Sequence, residues 1–206
     1  MWFSVLITVL VGYMLGNLNG AVCMSAILKD DVRSHGSGNA GLTNFIRNYG
    51  VGKAMYVILI DAGKAALACI TGGLLLSAYG DYYTEGAAIG GLAVMLGHDF
   101  PALLGFKGGK GILSGLFVAL CVDWRVALML LAVFAVAYLL TQYVSLGSVL
   151  AAVTFIVGFV WLHFGNTVVM SCCIAMGALA VFMHRGNIVR LVKGEERKTN
   201  LFKGKK

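Results

Sequence analysis

The residues best suited to chemistry lie in three short polar motifs of an otherwise apolar chain. The first motif, at residues 36–47, combines the glycine-rich run Gly36-Ser37-Gly38-Asn39 with Asn44 and Arg47. Glycine lets backbone N–H groups converge on an anion, serine and asparagine add donors, and the arginine fork matches phosphate oxygens. These residue types favour an anion-binding loop. A flexible loop followed by a capped helix is the alternative interpretation.

The second motif, at residues 97–111, begins with Gly97-His98 and ends with Lys107-Gly108-Gly109-Lys110-Gly111. Its spacing is not that of a nucleotide-binding P-loop. Two lysines and several glycines before a helix nevertheless favour phosphate, because a helix N-terminus carries partial positive charge. The alternative is a basic loop that sets only the topology, for which the glycines are not needed.

The third motif contains His184 and Asn187, followed by further basic residues. Histidine can act as a base near neutral pH. The two positions are three apart, so they share a face if the segment stays helical. The alternative is a basic tail that attracts anionic lipid.

Three more polar residues lie within or beside apolar segments. Asp61 and Lys64 are spaced for pairing inside one such segment, and we predict a structural ion pair rather than a catalytic one because charges within a membrane are costly. Ser145 lies at the end of another segment and could donate to a phosphate. No His, Cys, Asp or Glu pattern indicates a metal site, and we expect neither a metal nor a cofactor.

The composition excludes an ordinary soluble domain. Of 206 residues, 59% are apolar and 12% charged, whereas soluble domains carry about 25% charged residues. A membrane-crossing helix needs about 20 apolar residues. We predict an all-α polytopic integral membrane protein of about seven transmembrane helices, or five if short segments are re-entrant. The predicted spans are 2–28, 49–78, 86–104, 112–122, 126–140, 146–164 and 167–183. They form one domain, 1–206, with cytoplasmic motif segments at 29–53, 97–111 and 184–196.

The basic residues predict an orientation. The net charge is +7, and the seven-span arrangement places 14 of the 16 Lys and Arg residues on one face, leaving Arg125 opposite and Lys64 within a span. Positive residues mark the cytoplasmic side. We therefore predict an external N-terminus, a cytoplasmic C-terminus and all three motifs on the cytoplasmic face. The excess charge does not point to nucleic acid.

The motifs GSGNAGLTNFIR, GHDFPALLGFKGGKG and HRGNIVRLVKG, in this order, resemble the bacterial membrane acyl-phosphate:glycerol-3-phosphate acyltransferases, the PlsY family. The resemblance covers nearly the whole chain. It implies transfer of a fatty acyl group from acyl phosphate to the 1-position of sn-glycerol 3-phosphate, giving lysophosphatidic acid and phosphate. It also implies membrane lipid as a partner, the bacterial inner membrane as the location, and no coenzyme A or acyl carrier protein as direct donor.

The resemblance assigns roles position by position. Catalysis would involve Ser37, Arg47, His184 and Asn187, with either His184 or the departing phosphate as the base. Structural support would come from Asp61, Lys64 and Glu195, the last preferred over Glu196. Substrate and phosphate binding would involve Gly36, Gly38, Asn39, Asn44, His98, Lys107, Gly108, Gly109, Lys110, Gly111 and Ser145.

Two other classes of protein remain possible from the residues alone. A transporter of phosphorylated solutes would also collect cationic glycine-rich loops, but would place polar residues near the membrane midplane. A non-catalytic protein that binds anionic lipid would need only the basic tail, and would leave the Ser37 loop and the His184/Asn187 pair unexplained.

Overall fold

The computed structural model describes residues 1–199, which form an all-helical bundle, and this confirms the predicted all-α class. Lys203, Lys205 and Lys206, which the sequence prediction counts among the basic residues of the tail, lie outside the described residues. The α-helices within 1–199 are α1 (Trp2–Gly16), α2 (Gly20–Ile27), α3 (Leu42–Tyr49), α4 (Val51–Ser77), α5 (Tyr83–Asp99), α6 (Ile112–Val122), α7 (Trp124–Thr141), α8 (Val144–Leu162), α9 (Thr167–Met183) and α10 (Arg185–Val192).

The helices long and apolar enough to cross a membrane number five within the described part of the chain. They are α1 with α2, α4, α5 with the turn after it, α7 and α8. A sixth is obtained if α9 and α10, which meet at a bend of 54°, count as one broken span. Helix α6 has 11 residues, about 16 Å at 1.5 Å per residue, against an apolar core of about 30 Å. The structure thus supports five or six spans, where the sequence predicts about seven, or five if short segments are re-entrant.

The first span is interrupted where the sequence carries two asparagines. The Asn19 side chain accepts from the backbone N–H of Val22 at 3.0 Å and so caps α2, and its amide donates to the carbonyl of Ala40 at 2.9 Å. Asn17 accepts from the backbone N–H of Leu103 at 3.0 Å. The break therefore ties the first span to the first and second motif segments.

Helices α1, α4 and α5 pack through glycines. A Cβ on Gly86 would lie 2.1 Å from the carbonyl oxygen of Gly72, and one on Gly97 would lie 2.2 Å from that of Tyr13. Neither position has room for a side chain, so the backbones meet directly, as small residues allow in membrane helices. These contacts fix α1 against α4 and α5, the two helices that carry Asp61, Lys64 and His98.

Candidate active site

A buried ion pair anchors the floor of the site. The Nζ of Lys64 lies 2.8 Å from Oδ1 of Asp61, and both side chains are almost fully buried. Lys64 also donates to the carbonyl of Leu18 at 2.7 Å and to Nδ1 of His98 at 2.7 Å. The Gly20 backbone N–H donates to Asp61 at 3.1 Å. The predicted pair is therefore present, and it joins α4 to the break in the first span and to the second motif.

Asn44 organises the first motif loop from the inside. Its side-chain oxygen accepts from the backbone N–H of Ser37 at 3.1 Å, and its amide donates to the carbonyls of Val32, His35 and Asn39, each at 3.0 Å. The sequence prediction placed Asn44 among the substrate-binding residues. In the structure its hydrogen-bonding capacity is directed to the loop backbone, so the residue shapes the loop in which Ser37 is exposed.

The glycines of the second motif pack against His98. A Cβ on Gly108 would lie 2.0 Å from the His98 carbonyl oxygen, and one on Gly109 would lie 2.1 Å from Nε2 of the same residue. The Gly109 N–H donates to that carbonyl at 3.0 Å. These two glycines were predicted to bind phosphate, yet they are absent from the cavity wall among the described residues. Close packing is the constraint that the structure shows at both positions.

The two lysines of the second motif separate. Lys110 lines the cavity and its ammonium group donates to Oδ1 of Asn187. Lys107 is exposed and is not among the described residues of the cavity wall. Directly after Lys110 the chain reaches Gly111, whose φ is +70° and which precedes the start of α6. Of the predicted pair, the structure therefore brings Lys110 to the site and leaves Lys107 outside.

His184 lies at the bend between α9 and α10. The predicted shared helix face with Asn187 required a continuous helix, and the helix bends at His184, but both side chains line the same cavity. The Nδ1 of His184 lies 2.8 Å from the carbonyl oxygen of Ala180, and His184 is buried. A carbonyl can only accept, so Nδ1 carries the proton and Nε2 has the free lone pair that a base requires.

Glu196, not Glu195, is the glutamate at the site. Its carboxylate accepts from the Asn187 amide at 2.8 Å and from Nε of Arg190 at 2.7 Å, whereas Glu195 is exposed. Counting two positions from Gly194 also ends on Glu196, so the spacing carried a usable signal that the sequence prediction misread. Glu196 therefore holds the Asn187 side chain, whose oxygen accepts a hydrogen bond from Lys110.

Arg47 reaches the site from α3, and Ser145 from the first turn of α8. The guanidinium group of Arg47 donates to the hydroxyl of Thr199, a contact between residues 152 positions apart. Sequence reasoning missed Thr199, and no local pattern marks it. Ser145 is buried and lines the same cavity as Arg47.

These residues surround one cavity of about 850 Å³. Its polar wall carries Ser37, Arg47, Lys110, His184 and Asn187, together with Gly36, Gly38, Asn39, Gly111, Ser145 and His98. The apolar wall comes from α7, α8 and α9 and includes Leu130, Phe134, Phe155, Met176 and Ala180. The cavity can therefore take a molecule with an anionic head and a long apolar chain.

Burial of cations makes the polar wall receptive to an anion. Burial lowers the pKa of Lys110, and the nearby Arg190 lowers it further, while Glu196 opposes the shift. Burial likewise lowers the pKa of Arg47. An anion bound between these groups would relieve both effects. No cluster of three or more potential metal ligands occurs within residues 1–199.

The fold and the cavity define a membrane-embedded protein with one cavity, whose polar wall carries cationic side chains and whose other wall is apolar. The family model "Glycerol-3-phosphate acyltransferase" matches residues 6–194. The chain belongs to this family, and the resemblance found in its motifs is confirmed.

Two relatives are similar to this chain over almost their whole length. The chain is 36% identical to a glycerol-3-phosphate acyltransferase of Thermoanaerobacter pseudethanolicus, covering 93% of this chain and 94% of that protein. It is 37% identical to one of Finegoldia magna, covering 92% and 93%.

Two solved structures share the fold. The crystal structure of PlsY (YgiH), an integral membrane glycerol 3-phosphate acyltransferase, in its glycerol 3-phosphate form superposes with a TM-score of 0.86 and 32% identity, covering 97% of this chain and all of that one. Its lysophosphatidic acid form gives a TM-score of 0.82 at 32% identity, covering 96% of each chain. Together with the apolar helices, this similarity establishes an integral membrane protein.

Proposed function

We propose that the protein transfers a fatty acyl group from acyl phosphate to the 1-position hydroxyl of sn-glycerol 3-phosphate, releasing lysophosphatidic acid and inorganic phosphate. The observation that carries the proposal is the single cavity that joins the polar wall of Arg47, Lys110 and His184 to the apolar wall of α7, α8 and α9. The related crystal structures in glycerol 3-phosphate and lysophosphatidic acid forms support it.

The polar wall would hold the two phosphate groups and stabilise the departing one. Arg47 and Lys110 supply cationic donors, and Ser37 and Ser145 supply hydroxyl donors around the same space. The acyl phosphate is a mixed anhydride and is already activated, so no covalent acyl-enzyme is needed. Catalysis then consists of placing the glycerol hydroxyl against the acyl carbonyl and stabilising the negative charge that develops.

A base must take the proton of the attacking hydroxyl. His184 has the required form, since its bond to Ala180 leaves Nε2 free to accept. Asn187, held by Glu196, lies on the same cavity wall and can orient the glycerol hydroxyls. The departing phosphate is the alternative base, and it would leave His184 as a hydrogen-bonding residue.

We place the protein in the bacterial inner membrane with the N-terminus outside and the site on the cytoplasmic side. The basic residues of the motif segments support this orientation by the positive-inside rule. The orientation is tested by a single cysteine placed in the 36–47 loop of a cysteine-free variant. In intact cells an impermeant maleimide should leave this cysteine unlabelled. Labelling would show that the loop faces outside and would contradict the proposed orientation.

The donor is tested with purified protein in lipid bilayers and labelled glycerol 3-phosphate. Palmitoyl phosphate should give lysophosphatidic acid, while palmitoyl coenzyme A and palmitoyl acyl carrier protein should give none in the absence of an enzyme that makes acyl phosphate. Product from either thioester alone would contradict the proposed donor. Treatment of the product with a lipase specific for the 1-position should release all the palmitate.

The base is tested by His184→Gln, which keeps a hydrogen-bonding side chain and removes the titratable nitrogen. If His184 is the base, kcat should fall about 10²-fold or more. Near-normal kcat with an unchanged pH profile would assign the base to the departing phosphate.

A further inference from the structure

The residues 195–199, here called the C-terminal strap, cross from the end of α10 to the junction of α7 and α8. At one end Glu196 binds Asn187 and Arg190. At the other end the Thr199 N–H donates to the carbonyl of Gln142 at 3.0 Å, and its carbonyl accepts from the Tyr138 hydroxyl at 2.9 Å. The strap lies beyond the residues 6–194 matched by the family model.

Lys198 adds a contact in the middle of the strap. Its ammonium group lies 5.6 Å from the centre of the Tyr143 ring, within the range of a cation–π interaction. Thr199 is buried, with 6% of its surface exposed. Both backbone hydrogen-bonding groups of Thr199 are satisfied by the α7–α8 junction, which fixes where its side chain points.

The side chain of Thr199 points at Arg47. Its hydroxyl accepts a hydrogen bond from the Arg47 guanidinium group, which lines the cavity and is half-buried. A guanidinium group carries five N–H donors, so one bond to Thr199 leaves donors for a bound anion. An arginine side chain has several rotatable bonds and loses conformational freedom when it binds a ligand. A fixed acceptor restricts the side chain beforehand, so binding costs less conformational entropy.

We propose that Thr199 is a positioning residue for Arg47: the strap holds the guanidinium group in the orientation in which it binds phosphate in the cavity. The inference rests on the proposed function for its place in the reaction, but the geometry concerns phosphate binding and can be tested without turnover. Thr199 acts through Arg47 and does not itself contact the substrate.

The experiment measures binding of inorganic phosphate to the full-length protein in detergent by titration calorimetry. Thr199→Val keeps the β-branched shape and removes the hydroxyl, and Thr199→Ser keeps the hydroxyl. The matched control is Thr154→Val, since the Thr154 hydroxyl donates to Leu150 of its own helix at 2.9 Å, away from the cavity wall. Thr199→Val should weaken phosphate binding about tenfold, as expected when a hydrogen bond to a charged group is lost.

Thr199→Ser and Thr154→Val should bind within about twofold of the unaltered protein, below the change expected for a lost hydrogen bond to a charged group. In an Arg47→Met background, which has no donor at position 47, Thr199→Val should cause no further loss, because the two changes remove the same interaction. Thermal unfolding of each variant reports whether the fold is kept. Equal binding by Thr199→Val, an additive loss in the Arg47→Met background, or no phosphate binding by the unaltered protein would each overturn the inference.

The outcome is separable from that of the proposed function. A protein that binds phosphate with the expected Thr199 dependence but makes no lysophosphatidic acid would retain the positioning role and lose the acyltransferase assignment. If Thr199→Val showed normal turnover and normal phosphate binding, the acyltransferase assignment would be retained and the positioning role would be lost.

Discussion

Helices α4 and α5 touch through their backbones, whereas α7, α8 and α9 meet through larger side chains and leave a cavity between them. In the first group, Gly72 and Gly86 bring main chains together with no room for a methyl group. In the second, Phe134, Phe155 and Met176 line open space. The difference indicates that α4 and α5 form a rigid support, whereas α7, α8 and α9 form a container for an apolar ligand. It predicts that mutations in the support and in the container have different consequences.

The largest effect should come from the buried ion pair of the support. Asp61→Asn leaves the Lys64 ammonium group buried without its counter-charge, which costs about 3–5 kcal/mol when one partner of a buried pair is removed. Thermal unfolding in detergent should show a drop in Tm and poor yield of folded protein.

Asp99→Asn is the matched control for this prediction. Asp99 is also fully buried, but both of its carboxylate oxygens lack a hydrogen-bond partner among the described residues. Neutralising it breaks no hydrogen bond between described residues and should lower Tm less than Asp61→Asn does. A larger loss from Asp99→Asn than from Asp61→Asn would refute the assignment of the ion pair as the anchor.

The next largest effect should come from the glycine contact. Gly72→Ala would place a Cβ 2.1 Å from the Gly86 carbonyl oxygen, and the backbones would have to separate at a cost of about 3 kcal/mol. Gly63→Ala on the same helix meets no atom within 4 Å and should be neutral or stabilising by helix propensity. Equal Tm values for the two variants would show that α4 and α5 do not pack as described.

On the container side, Lys110→Gln should change function and spare stability. The variant keeps a side chain that can hydrogen-bond to Asn187 and loses the charge facing the cavity, so acyl transfer should fall about 10- to 100-fold. The Tm should stay within a few degrees of that of the unaltered protein. Lys107→Gln, at an exposed position, is the matched control and should keep near-normal kcat/KM for glycerol 3-phosphate.

The smallest effect should be a partial loss of activity at low pH. Burial raises the pKa of Glu196, but hydrogen bonds from Asn187 and Arg190 outweigh it, and the net pKa lies below the ordinary value of 4.5. A carboxylate with a lowered folded-state pKa contributes stability above its unfolded pKa and loses it as pH falls through the folded value. The support of Asn187 should therefore be intact at pH 6–8 and weaken below about pH 4.5.

Activity measured from pH 7 down to pH 4, relative to Glu196→Gln, checks this dependence. The unaltered protein should lose part of its advantage over the variant in the acid range. An advantage that is constant across the range would show that the ionised form of Glu196 is not what holds Asn187.

The sequence predicts the elements that depend on local pattern and misses the contacts that depend on distant segments. Hydrophobic runs locate the helices, and the i,i+3 spacing identifies the pair of Asp61 and Lys64. The contact of Thr199 with Arg47 joins residues 152 positions apart, and no periodicity records it. The separation of Lys107 from Lys110 follows from the course of one irregular loop, which composition does not determine.

The roles of the motif residues can likewise be predicted only in part from their residue types. Glycine predicts a backbone that can approach an anion, but Gly108 and Gly109 approach His98 instead. Asn44 has the donors expected of a ligand-binding residue, but the loop around it uses them. The same residue types serve binding and architecture, and only the three-dimensional partners distinguish the two.

The bond between His184 and Ala180 has a consequence for how the site tolerates change. In many hydrolases a carboxylate side chain orients the catalytic imidazole, and its replacement leaves the wrong tautomer. Here the orienting acceptor is a main-chain carbonyl in the last turn of α9. A main-chain group is retained whatever residue occupies position 180, so the imidazole keeps its proton arrangement as long as α9 ends at Met183.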